Sequence, residues 1–103
     1  MFITLNPTNS QKSFYGKAVY TVERNDDSYT YTLYSYGTRI LSITSYNSHP
    51  EKLYFDRIWS GYSATTMKHI NSFIDTVCII RNIPDNNYGG KKWWDSLPIA
   101  HYA

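Results

Sequence analysis

The sequence predicts an α+β fold: a four-stranded antiparallel meander covered on one face by a single amphipathic helix. Three observations predict it. Residues 13–59 carry β-branched and aromatic side chains in short alternating runs, the period of half-buried strands. The connections between those runs are too short for parallel crossovers, so neighbouring strands must run antiparallel. Beyond residue 60 the apolar positions recur every three or four residues, as on one stripe of a helix. With 103 residues, 42% of them hydrophobic, the chain is read as one domain, 1–103, with enough apolar material for a packed core.

The elements follow in order. Phe2, Ile3 and Leu5 can pair as a short edge strand before Asn6-Pro7-Thr8-Asn9-Ser10 breaks regular structure. The first full strand is expected over about 13–24, with Phe14, Gly16, Ala18, Tyr20 and Val22 on one face. Asn25-Asp26-Asp27-Ser28 is a turn, because Asn and Asp bond their own backbone and tolerate positive φ. The second strand covers about 29–36 and is almost purely Tyr and Thr around Leu33. Gly37 permits the next reversal. The third strand covers about 38–46, with Leu41 and Ile43 opposed to Ile40, Ser42 and Thr44. Asn47-Ser48-His49-Pro50 ends it, and the fourth strand is placed at about 52–59 with Leu53, Phe55 and Trp59 on one face.

Helix spacing then takes over at about 64–79. Met67, Ile70, Phe73, Ile74 and Val77 form its apolar stripe, and Lys68, Asn71, Ser72 and Asp75 take the other side. Ser63 is the N-cap candidate, its hydroxyl aimed at the backbone N–H of Thr65 or Thr66. Asn82 and Pro84 stop the helix. A C-terminal segment, 85–103, follows as a loop and a tail. In Trp59-Ser60-Gly61-Tyr62, Gly61 is read as the residue that permits a sharp bend from the last strand into the helix.

Composition excludes several classes. The net charge of +2 neither demands nor forbids a nucleic-acid partner. A single cysteine, Cys78, rules out an intrachain disulfide. The N-terminus lacks the basic region of a signal peptide, and no apolar run approaches the roughly 20 residues that span a bilayer. A soluble intracellular protein is the expectation.

Catalytic motifs are thin. Cys78 and His69 lie on different turns of the predicted helix and cannot touch, so Cys78 reads as a small buried hydrophobe. His49, His69 and His101 lack metal-ligand spacing. Gly89-Gly90-Lys91-Lys92 fails as a phosphate loop, because Asp85 stands where the first glycine belongs and Lys92 where a Ser or Thr should. The acids are scattered. No enzyme activity, cofactor or metal is expected.

The aromatic residues carry the binding signal. The chain has 11 tyrosines and three tryptophans. Tyr29, Tyr31, Tyr34 and Tyr36 occupy both faces of one strand, and one helix can cover only one face. The exposed rings can act as binding anchors together with Arg39, or as a stacking platform for bases, or simply as strand formers with wet hydroxyls. Lys17, Arg24, Lys52 and Arg57 lie near enough to add charge. Lys91, Lys92 and Trp93 form a second candidate surface beside Trp94; the alternative is that one indole docks the C-terminal segment and the other covers its edge.

Four stretches resemble a known group of proteins: Ser13-Phe14-Tyr15-Gly16-Lys17-Ala18, Leu33-Tyr34-Ser35-Tyr36-Gly37-Thr38, the run from Trp59 through Gly61-Tyr62-Ser63-Ala64-Thr65-Thr66 and His69-Ile70 to Phe73, and Lys92-Trp93-Trp94-Asp95-Ser96-Leu97. They resemble a family of short uncharacterised proteins of tailed phages and prophages of low-GC Gram-positive bacteria, over most of residues 13–97. The resemblance brings no catalytic residues. It implies a small accessory protein made in the cytoplasm of an infected bacterium. Such phage genomes are rich in inhibitors of host defence, anti-CRISPR proteins among them. The expected function is therefore a non-enzymatic protein that binds a bacterial host protein, a CRISPR effector nuclease being the favoured class, and blocks it by occlusion. The rival is a single-stranded nucleic-acid-binding module that uses the exposed tyrosines. A third reading is a phage regulatory or replication accessory protein acting as a dimer.

Overall fold

The computed structural model of the chain describes residues 1–8, 12–84 and 88–99. Five strands form one antiparallel sheet in sequence order: β1 (Ile3–Thr4), β2 (Ala18–Arg24), β3 (Ser28–Ser35), β4 (Thr38–Tyr46) and β5 (His49–Arg57). Helix α1 (Ala64–Ile80) lies on one face, and a short helix α2 (Lys91–Ser96) follows. The α+β meander is as the sequence predicts, with a fifth strand and a second helix added.

Period two places the side chains. The pairs Tyr20↔Leu33, Tyr31↔Ile43 and Leu33↔Leu41 put these residues on one face, with Leu53 and Phe55 of β5. That face meets Ile70, Phe73, Ile74 and Val77 of α1, all buried, and Leu5, Phe14 and Trp94 close the core. The other face carries Val19, Thr21, Glu23, Thr30, Thr32, Tyr34, Arg39, Ser42, Thr44, Tyr54 and Asp56. No helix of the described residues covers it. A bulge in β4 sets Leu33↔Leu41 and Tyr34↔Arg39 in register and leaves Ile40 as the extra residue.

The helix ends are capped by local chemistry. The Thr66 N–H donates to the Ser63 hydroxyl at 3.0 Å. At the other end Asn82 adopts φ 59, the Ile83 N–H reaches the Cys78 carbonyl at 2.8 Å, and the Asn82 N–H reaches that of Ile79 at 3.2 Å. This left-handed stop satisfies two carbonyls that the helix leaves open.

Several boundaries differ from expectation. The expected strand over 13–24 begins only at Ala18, because Tyr15-Gly16 forms a turn closed by the Lys17 N–H on the Phe14 carbonyl at 2.9 Å. The last strand covers His49–Arg57 instead of 52–59, since a two-residue turn at Asn47-Ser48 suffices. Pro50 is tolerated there because β5 is the terminal strand of the sheet. Gly61 is required by close approach: a Cβ on it would lie 2.5 Å from the Trp59 indole. The C-terminal segment holds α2, and the rest of the expected loop and tail, 85–87 and 100–103, lies outside the described residues.

Candidate functional site

The uncovered sheet face is built in rows, each about 7 Å from the next along the strands. The first row is Val19, Tyr34 and Arg39. The Arg39 guanidinium lies 5.9 Å from the centre of the Tyr34 ring, and Phe2 meets the same ring edge-on at 5.2 Å. The second row is Thr21, Thr32, Ser42 and Asp56, and the third Glu23, Thr30, Thr44 and Tyr54. Cross-strand hydroxyls bond each other: Thr32 to Ser42 at 2.9 Å and Thr30 to Thr44 at 3.2 Å. Tyr46 and Tyr54 stand edge to face at 5.4 Å at the far end, both exposed. A depression over the middle rows is lined by Thr21, Thr32, Ser42, Thr44, Tyr34, Arg39 and Asp56 among others.

The four tyrosines expected as one surface are divided. Tyr34 is on the open face. Tyr36 is exposed, but in the turn after β3. Tyr31 is 2% exposed and faces the helix, as does half-buried Tyr29. Tyr31 is closed to a partner from outside, and Tyr29 offers only a partly exposed ring. Burial raises the Tyr31 hydroxyl above its ordinary pKa, partly offset by Arg81. The Arg81 guanidinium also lies 5.0 Å from the Tyr29 ring centre and bonds the Ser45 hydroxyl, so it closes the end of the core.

Arg57 leaves the set of charges near the rings. It is 5% exposed and donates to the carbonyls of Trp59, Ser60 and Trp94. The second candidate surface is part framework and part open. Trp94 is fully buried, and Trp93 packs edge-on against Phe55 at 5.1 Å. Lys91 is paired with Asp95 at 3.0 Å and sits 5.4 Å from the Tyr62 ring centre. Lys92 is exposed.

Residues 3–96 match a family described as a family of unknown function, DUF8033. The chain belongs to this family. The matched span runs from the first residue of β1 to the last of α2. No curated protein and no solved structure matches the chain.

In this DUF8033 chain, one polar pair escaped sequence reasoning. His69 Nδ1 lies 2.8 Å from the Ser35 hydroxyl, which also contacts Thr66 at 3.4 Å. Residues 34 apart in sequence gave no motif to find. The pair has the composition of a nucleophile and base, yet it is sealed: Ser35 is 3% and His69 1% exposed, and Phe14 packs on the imidazole at 4.5 Å. Burial pushes the His69 pKa down. The pair fastens β3 to α1 instead of facing a substrate. Cys78 is buried on the same helix, and burial, with Asp75 adding to it, raises its thiol. Among the described residues no three His, Cys, Asp or Glu side chains gather in a metal-binding group. No helix there is long and apolar enough to cross a membrane.

Proposed function

We propose that the chain is a non-enzymatic binding protein that occludes a partner protein with its open sheet face. The observation that carries this reading is the face itself: a Tyr34–Arg39 anchor at one end, Tyr46 and Tyr54 at the other, and rows of short hydroxyls between. Tyr, Ser and Thr lose little side-chain freedom when held, and Tyr and Arg are the side chains that dominate binding hot spots. Glu23 and Asp56 share the face with Arg39. Mixed sign suits a protein surface better than a phosphate backbone. The likeness to phage accessory proteins points to a bacterial host protein, with a host-defence nuclease such as a CRISPR effector as the class, met in the cytoplasm of an infected cell.

Capture from phage-infected Gram-positive cells, followed by mass spectrometry, identifies the partner. The purified pair is then mixed and the partner's nuclease activity measured. The expected result is inhibition, with Tyr34→Ala or Arg39→Ala weakening the complex by about 2 kcal/mol. A complex indifferent to both substitutions, or a partner left fully active, sinks the reading.

A further inference from the structure

Two turns at one end of the sheet share an uncommon backbone. In Tyr15-Gly16 and in Tyr36-Gly37, the tyrosine (φ 53 and 51) and the glycine (φ 73 and 79) are both left-handed. The usual first residue of such a turn is Asn or Asp, whose short side chain tolerates positive φ. A bulky residue there is strained, and strain of this kind concentrates where function needs it. The turns lie side by side, since the Tyr36 N–H donates to the Lys17 carbonyl at 2.8 Å.

The rings do little for the fold. Tyr15 is 81% and Tyr36 59% exposed. Nothing lies within 4 Å of where a Cβ on Gly16 or Gly37 would stand, so the space at both tips is open. The two turn segments themselves carry charge of one sign. Segments 13–17 and 35–39 contain Lys17 and Arg39 and no acid. The buried His69 ring lies 5.7 Å from that of Tyr36.

We infer that these twin turns dock single-stranded nucleic acid, with bases stacked on Tyr15 and Tyr36 and phosphates on Lys17 and Arg39. Stacking on exposed rings beside cations is how such strands are held without sequence readout. Two turn tips are also far smaller than the roughly 800 Å² per partner that a stable protein interface buries, whereas a strand needs only a few nucleotides. The site adjoins the open face and shares Arg39 with it.

The test titrates the isolated protein with a fluorescein-labelled oligothymidylate of about eight nucleotides. Salt is varied from about 50 to 200 mM. Affinity should fall with salt at a log–log slope of about −1.4, as two phosphate contacts require. Tyr15→Asn and Tyr36→Asn should each weaken binding about fivefold or more. Both variants should melt at the same or a higher temperature, because Asn relieves the left-handed strain. Lys17→Gln should make the slope shallower by about 0.7. The inference is overturned by any of four results: no saturable binding at low salt, undiminished binding by both Asn variants, Asn variants that lose stability, or polyglutamate bound in preference to the oligonucleotide. No protein partner is present in this titration, so its failure leaves the open-face proposal standing.

Discussion

Arg57 and Trp94 are joined twice. The guanidinium carbon lies 4.3 Å from the centre of the indole, and the same group donates to the Trp94 carbonyl at 2.6 Å. The remaining donors go to the carbonyls of Trp59 at 3.0 Å and Ser60 at 2.8 Å, and the Trp94 indole N–H goes to that of Gly61 at 2.8 Å. One planar cation thus ties the end of β5, the approach to α1 and helix α2 together.

Arg57→Ala leaves three carbonyls without their partner and is expected to cost about 3 kcal/mol or more. Arg57→Lys keeps the charge but loses the planar fork and the stacking, and is expected to cost about 2 kcal/mol. Urea unfolding measures both. Losses under about 0.5 kcal/mol would mean that the carbonyls find water instead.

The helix stripe sets the size of the core. Ile70 and Ile74 are 1% and 0% exposed. Ile70→Ala and Ile74→Ala are each expected to cost about 2–5 kcal/mol, the spread reflecting how far the site collapses. Thermal or urea unfolding reads the loss, and a near-neutral result at both positions would place the stripe outside the core.

His69 makes stability depend on pH in a stated direction. Its folded pKa lies below the usual value of about 6.5, because burial disfavours the charged ring. The unfolded chain therefore takes up a proton before the folded one does. The contribution of His69 is present above about pH 6.5 and is lost as pH falls from there through the folded pKa. His69→Asn can still bond Ser35 but does not titrate, so its stability should change less between about pH 6.5 and 5. Equal slopes for the two proteins in that window would count against it.

What was legible in the sequence is what repeats locally. Met67, Ile70, Phe73, Ile74 and Val77 are all buried as their spacing predicts. The turn at Tyr15-Gly16 was hidden because it sits inside a run whose alternation continues across it. Helix α2 is six residues long, too short to establish a period. The site was legible only by half. Alternation divides Tyr29 and Tyr31 from Tyr34, but the choice of buried side is made by packing against α1. One signal was available: Leu33, the only aliphatic residue of β3, shares parity with Tyr29 and Tyr31 and marks their side as the core. Ser35–His69 and Arg57–Trp94 join distant residues, and no local pattern announces them.

The sheet order β1-β2-β3-β4-β5 has a kinetic consequence. Every strand pairs with its neighbour in the chain, and from β2 onward each step closes a loop of two or three residues, so little entropy is lost before contacts form. The hairpins can assemble one after another from a single start. The ties that span the molecule have longer loops to close: Ser35–His69 across 34 residues, Arg57–Trp94 across 37, and Thr8–Ser72 across 64. Chain separation therefore ranks the events. On this ranking the hairpins of β2–β5 are expected to form first, α1 to latch onto them next, and Thr8 to dock on Ser72 last.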